Sequence, residues 1–298
     1  MELRDASAVS LSNDQLAIIE MLVARLISLT GVRAVALGGS FARGRATKNS
    51  DIDLGLFYSE AAPFSINELQ QLVRQVDDSG NPVVSDFYGW GKWVNGGAWL
   101  NIKGQRVDLL YKNIEQAERV IEEGNQGRYE VDYAQQPPFG FFSGTYCAEL
   151  RICKALADQK EVISRLKKQV EVFPEALRHN LVQDNLWAAE FGIKAFARKF
   201  AGRGDIFGTA SCLTRVFNQL NHALFAINRE YPINDKTVIA EIGEFGRTVP
   251  DYGKRIEVIL GNLAVDQASL EKAVTEAEGL LNEVADLTDG LYQARYLI

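Results

Sequence analysis

Apolar residues first recur at helical spacing at Leu16, Ile19, Leu22, Val23, Leu26 and Ile27, with Glu20 and Arg25 left for the wet side. Ser12-Asn13-Asp14 precedes them as capping material, so the pattern predicts a helix starting there. Ala34-Val35-Ala36-Leu37 is too short for a helix and runs into Gly38-Gly39-Ser40, which predicts a buried strand entering a tight turn. Asp51-Ile52-Asp53-Leu54-Gly55-Leu56-Phe57 switches to a period of two and reads as a second strand. Ser65-Ile66-Asn67-Glu68 has capping-box spacing and opens a helix running to about Val76. Ala98–Ile102 and Arg106–Tyr111 flank Lys103-Gly104-Gln105 and predict a hairpin.

From Gly124 to Phe142 the period is lost. Three glycines, Pro137-Pro138 and several aromatics make this stretch a poor helix and a poor strand. Beyond Ser143 helical spacing dominates, most clearly at Leu270, Val274, Ala277, Leu281, Val284, Leu287 and Leu291, with Lys272, Thr275, Glu276, Glu283 and Asp286 opposite. The expected fold class is therefore α+β, in three parts. A mixed-sheet domain spans residues 1–125, a linker 126–142 and a helical bundle 143–298. No repeat or low-complexity segment interrupts it.

Composition adds exclusions. A chain of 298 residues with 47% hydrophobic and 24% charged residues is ordinary globular usage. Thirty-two Lys and Arg stand against 39 Asp and Glu, a net charge of −7. An extended nucleic-acid surface needs a basic surplus to neutralise phosphates, so nucleic acid is disfavoured as the main partner. Cys147, Cys153 and Cys212 form no C-x-x-C pair and fit a reducing cytoplasm, and His179 and His222 are too scattered for a histidine metal cluster. The polar start MELRDASAVSLSND does not read as a signal peptide, and the apolar stretch Leu16–Leu37 is broken by Glu20, Arg25 and Arg33, so no membrane span is expected. Oligomeric state is left open.

The segment Leu37 to Leu54 carries the chemistry. After the first strand, backbone N–H groups at the glycine turn and the Ser40 hydroxyl can converge on a phosphate. Asp51 and Asp53, two apart on one strand, point to one face about 7 Å apart. Two carboxylates so placed repel each other unless a cation lies between them, and hard oxygen ligands of this kind suit Mg²⁺ together with substrate phosphates. Arg43 and Lys48 lie between turn and carboxylates. Arg43 suits bidentate phosphate contact, whereas Lys48 reads as a solvated loop charge.

Gly39-Ser40, ten residues, then Asp51-Ile52-Asp53 resembles the signature of the DNA polymerase β-like nucleotidyltransferase superfamily, in the layout of its small antibiotic-modifying and minimal branches. The resemblance covers residues from about 15 to 115. It implies that Gly39 and Ser40 hold a nucleoside triphosphate, that Asp51 and Asp53 bind catalytic Mg²⁺ in a two-metal arrangement, and that a third carboxylate comes from a later strand. Asp108, a lone charge in an apolar strand, is the first candidate for that role and Asp86 the second; a simpler reading of Asp108 is an ion pair with Arg106 or Lys112. The helical remainder is similar in arrangement to the domain with which such enzymes close over the acceptor. The implied reaction moves a nucleoside monophosphate from a triphosphate, ATP among the possibilities, onto a hydroxyl of a small acceptor such as an aminoglycoside- or lincosamide-like compound. Two alternatives stand beside it: nucleotide transfer onto a partner protein, and a non-catalytic nucleotide-binding module.

Three features remain. Phe87, Tyr88, Trp90, Trp93 and Trp99 either stack on a substrate ring or pack internally. Lys236 reads as a polar turn residue rather than a phosphate contact. The basic run Lys194–Arg203 reads as a solvated helix face.

Overall fold

The computed structural model describes residues 11–136 and 138–295. The polar N-terminal segment up to residue 10, and Pro137 of the expected linker, lie outside the described residues. The chain forms two compact units, and each draws on two stretches of sequence. One comprises residues up to Glu122 together with Tyr146–Val172, the other Glu123–Thr145 together with the chain from Phe173 onward.

The first unit opens with α1 (Asn13–Leu26). Ser12 caps it with both halves of a capping box, and Ile18, Ile19, Leu22, Val23 and Leu26 are its buried stripe. Then come β1 (Val32–Leu37), the single-turn helix α2 (Gly39–Ala42), β2 (Ile52–Tyr58) and α3 (Ile66–Arg74), whose N-cap Ser65 accepts from the Glu68 N–H. β3 (Val83–Val84), β4 (Gly97–Ile102), β5 (Gln105–Asn113) and α4 (Ile114–Asn125) follow. The β4–β5 turn is Lys103-Gly104, both at positive φ, the conformation that a two-residue hairpin needs to match strand twist. Asp78 accepts the N–H groups of both turn residues, at 2.8 and 2.9 Å.

The six-stranded sheet has the order β3-β4-β5-β2-β1-β8, with β2 and β5 parallel and every other neighbouring pair antiparallel. Its last strand, β8 (Lys154–Ala157), comes from the part of the sequence expected to be a helical bundle. There the sequence division at 125 and 143 differs from the structure. β8 is four residues of low apolar contrast, and only its pairing with β1 (Val35 with Ala157, Ala36 with Ala155, Leu37 with Lys154) makes it a strand. Buried hydrogen bonds add to that attachment: the Tyr146 hydroxyl meets the Trp93 carbonyl and Gln116 Oε1, both at 2.9 Å. Between them lie α5 (Thr145–Ile152) and, after β8, α6 (Val162–Val170). One sheet face is the core, where Val35, Leu37, Leu54, Leu56, Leu109 and Tyr111 pack with α1 and α3 side chains.

The second unit is helical, as its periodicity requires, apart from a small ladder of β6 (Val131–Asp132) with β7 (Phe141–Phe142) inside the expected linker. Its long helices are α7 (Glu175–Phe191), α9 (Ile206–Ile227) and α12 (Gln267–Asp286), which pack on one another; α8 (Arg198–Ala201), α10 (Val238–Gly243) and α11 (Tyr252–Gly261) are shorter. The stripe Leu270, Val274, Ala277, Leu281 and Val284 is buried as the spacing predicts. The basic run meets acidic partners, Lys194 pairing with Glu190 at 2.6 Å and Arg198 with Glu278. All three cysteines are free, and no helix among the described residues is long and apolar enough to cross a membrane.

Leu156 of β8 is buried with the sheet core. Leu156→Ala should therefore lower stability by about 2–3 kcal/mol, the lower part of the range for core leucines because the strand is at an edge. Urea denaturation measures it, and a loss below about 1 kcal/mol would mean that β8 adds little to this core.

Candidate active site

Parallel pairing of β2 with β5 sets Asp53 directly beside Asp108, and antiparallel pairing sets Asp108 beside Trp99 on β4. Residues in register on adjacent strands share a face, so these three side chains lie together, opposite the core face of Leu54, Leu109 and Ala98. Asp51, two residues before Asp53, adds a third carboxylate at the strand's entry. The rest of this face is small where it borders Asp53, with Ala36 paired to Gly55.

The glycine turn is fitted to that carboxylate. Gly39 has φ +57, and a Cβ there would lie 1.7 Å from Asp53 Oδ2, so glycine is required on both counts. The Gly38 N–H donates to the Asp53 carbonyl at 2.8 Å, fixing the turn to β2. Gly39, Ser40 and Phe41 form the first turn of α2, where backbone N–H groups have no intrahelical acceptor. Arg43 follows as the C-cap of that turn, half-buried, while Lys48 is exposed in the loop leading to Asp51.

The electrostatics are those of crowded acids. Burial lifts the Asp53 carboxyl to about 6, with Asp108, Asp51 and Glu149 pushing the same way and Lys112 opposing. Asp108 is also raised, first by burial and then by Asp51, against Arg106 and a hydrogen bond from the Trp99 indole. The ion pairs differ from the simpler sequence reading of Asp108. Arg106 Nε lies 2.6 Å from Asp51 Oδ1, and Lys112 Nζ lies 2.5 Å from Glu149 Oε2. The Arg106 contact is not aligned as a hydrogen bond, so the buried Asp51 Oδ1 has no hydrogen-bond partner among the described residues.

That oxygen, ion-paired but without a hydrogen bond, beside two carboxyls whose proton affinity is raised, is part of a donor set suited to a hard divalent cation. It is not a finished cage: among the described residues no group of three His, Cys, Asp or Glu side chains is already arranged to hold a metal ion. Mg²⁺ needs no such cage, because it binds through one or two carboxylates and takes the remaining oxygens from water and substrate phosphates. The residues present fit the ion.

Asp86 lies beyond the two-residue β3, and its charge acts on Tyr111 of the core face, so it does not join Asp53 and Asp108. Lys236, in the helical unit, sits in a turn with its N–H on Asn234 Oδ1. The aromatic stretch divides: Phe87 packs with Tyr58, Phe64 and Tyr111, and Trp93 is buried against Tyr146. Trp90, 51% exposed, stacks on Trp99 with centroids 4.1 Å apart. Glu149 was not singled out in the sequence, and Lys112 only as a pairing partner for Asp108. The period-two run Asp108, Leu110, Lys112 places the lysine on the acidic face, but nothing in the sequence joins Glu149 to it.

Residues 19–129, which contain the glycine turn and all three aspartates, match the family model described as nucleotidyltransferase domain. The chain carries a nucleotidyltransferase domain. Residues 143–236 match a second family, described as Domain of unknown function (DUF4037). A nucleotidyltransferase-like protein from Exiguobacterium sibiricum 255-15 resembles the chain with 13% identity and a TM-score of 0.47, over 93% of this chain and 77% of that one. No curated protein matches the chain. The nucleotidyltransferase domain thus coincides with the mixed sheet up to α4, while β8 and α6 lie beyond it.

The Asp53 carboxyl near 6, against an ordinary value of 3.8, has a stability consequence. Between those values the folded state holds a proton that the unfolded chain has lost, so stability is greatest below pH 4 and falls as pH rises towards 6. Asp53→Asn should raise the stability of metal-free protein at pH 7 by up to about 3 kcal/mol, and the gain should vanish below pH 4. Urea denaturation in EDTA at the two pH values measures this. A variant less stable at pH 7 would show a carboxylate held by structural hydrogen bonds.

Proposed function

We propose that this nucleotidyltransferase moves a nucleoside monophosphate from a nucleoside triphosphate to a hydroxyl of a small acceptor, in a Mg²⁺-dependent reaction that releases pyrophosphate. The observation that supports it most is the register pairing of Asp53 with Asp108 on the face that the Gly39 turn abuts. Gly39 and Ser40 bind the triphosphate through the α2 first-turn N–H groups and the Ser40 hydroxyl, and Arg43 adds a bidentate cation. Asp51, Asp53 and Asp108 would hold the divalent cation, which when bound neutralises the triphosphate and stabilises the attacking and leaving oxygens.

Asp108 completes the ligand set or takes the acceptor's proton; its raised carboxyl suits the second task better than an ordinary aspartate would. As the acceptor O–H bond breaks, its oxygen forms a bond to the α-phosphorus. The bond from that phosphorus to the bridging oxygen breaks in line, and the electron pair leaves with pyrophosphate. Trp99 positions Asp108 through its indole N–H, while Trp90 shields the other face of Trp99. The net charge of −7 favours a neutral or cationic acceptor over a nucleic acid.

Incubation of the purified protein with labelled ATP, GTP, CTP and UTP, Mg²⁺ and a metabolite mixture, read by mass spectrometry, tests the reaction. Asp53→Asn and Asp108→Asn should each lower kcat by at least about a hundredfold with the fold intact, while Asp86→Asn leaves it within about twofold. The reverse ranking would move the third carboxylate to Asp86. Nucleoside triphosphate should raise Tm more with Mg²⁺ than with EDTA; equal shifts in both would remove the metal from the reading.

A further inference from the structure

The helical unit contains a cavity of about 1080 Å³ between α7, α9 and the β6–β7 ladder, at the upper end of the range for small-molecule sites. Gln219, Asn218 and His222 of α9 are among its polar lining residues, Gln219 being the most deeply buried. Gln219 is 9% exposed, and its Oε1 has no hydrogen-bond partner among the described residues. A carbonyl buried at that depth is costly to leave unmet, and a donor on a bound molecule would satisfy it. Burial lowers the His222 imidazole to about 4, so at neutral pH it offers one donor and one acceptor without charge.

The walls and rim have a different chemistry. Tyr129, Tyr133 and Trp187 line the sides. Arg215 lies over the Tyr133 ring at 5.4 Å, and the Tyr129 hydroxyl donates to Asp184 at 3.3 Å. The charged lining residues are the exposed Arg128, Arg215 and Arg295 against Asp184 alone, a local positive excess on a chain of net charge −7.

From neutral hydrogen-bonding groups, flat aromatic walls and a cationic rim, we infer that this cavity of the helical unit binds a nucleoside monophosphate, base inward and phosphate at the arginines. A side-chain amide presents one donor and one acceptor in the geometry of a base edge, aromatic rings stack on a base of any sequence, and guanidinium groups grip phosphate. Every residue lining it belongs to the helical unit, whereas the Gly39 turn belongs to the other unit, and the site needs no divalent cation.

Calorimetric titration of the full chain with AMP, GMP, CMP and UMP in EDTA tests it, with ribose 5-phosphate, adenosine and glucosamine as further arms. At least one monophosphate should bind one to one, and both ribose 5-phosphate and adenosine should bind at least about tenfold more weakly, each lacking one half of the recognition. Gln219→Met should weaken binding about tenfold, the loss of one buried hydrogen bond. Arg215→Gln, on the exposed rim, should weaken it similarly and covers the case in which the Gln219 variant fails to fold. Asp53→Asn should not change it. The inference is overturned if no monophosphate binds, if glucosamine binds instead, or if Asp53→Asn abolishes binding while Gln219→Met and Arg215→Gln do not. That last pattern would place the bound nucleotide at the Gly39 turn. Loss of transfer activity alone would leave the cavity's binding untouched, so the two readings fail separately.

Discussion

Space at one backbone position constrains the nucleotidyltransferase domain more than any other feature. The Asp53 carboxylate fills the volume where a side chain at residue 39 would begin, and the backbone there is left-handed. The Gly38 N–H on the Asp53 carbonyl then ties the glycine turn to the strand. Asp108 follows from it, because parallel pairing of β2 with β5 fixes which side chain stands next to Asp53. A slip of one residue would send Asp108 into the core and bring an apolar neighbour to the acidic face. The apolar alternation itself opposes such a slip, since it would turn Val107 and Leu109 away from the core that they share with Leu54 and Leu56.

This arrangement opposes folding in electrostatic terms. Burial and the neighbouring carboxylates raise the proton affinity of Asp53 and Asp108, and Glu149 adds to the effect on Asp53. The relief within the fold is partial: Arg106 beside Asp51, Lys112 beside Glu149, and an indole N–H on Asp108. A protein selected for stability alone would replace one of these acids with an amide or an apolar residue. Their retention is reasonable where a cation and a polyphosphate complete the charge balance, which is the logic of a site whose stability is spent on binding.

Much of the first unit was legible because its signals are local. Ser12 and Ser65 cap the helices they precede, the Lys103-Gly104 turn closes the hairpin, and the Gly-Ser to Asp-x-Asp spacing picked out the turn and strand that the fold packs together. Asp108 could be preferred over Asp86 because a carboxylate inside an apolar period-two run is harder to place than one beside a turn. What could not be read is non-local. β8 carries no strand signal of its own and exists through its pairing with β1, so the chain's return to the first unit after Thr145 was invisible to composition. For the same reason Glu149, on a helix that reads as part of the second half, could not be connected with Asp53. The Trp90–Trp99 stack was legible as an aromatic cluster, but not as the support of one carboxylate.

That return has a consequence for how the domain works. The matched nucleotidyltransferase family ends near residue 129, yet the sheet edge, the Tyr146 hydrogen bonds and the Glu149 carboxylate all come from after it. Lys167 of α6 donates to the carbonyls of Leu150, Arg151 and Cys153 at the end of α5, and so fixes the helix that carries Glu149. Lys112 is shared between two acids: it opposes the raised proton affinity of Asp53 and is paired with Glu149. Glu149 therefore raises the proton affinity of Asp53 while its own partner Lys112 lowers it. The segment beyond the matched family is therefore electrostatically part of the site, through a lysine whose charge has two claimants on one face of the sheet.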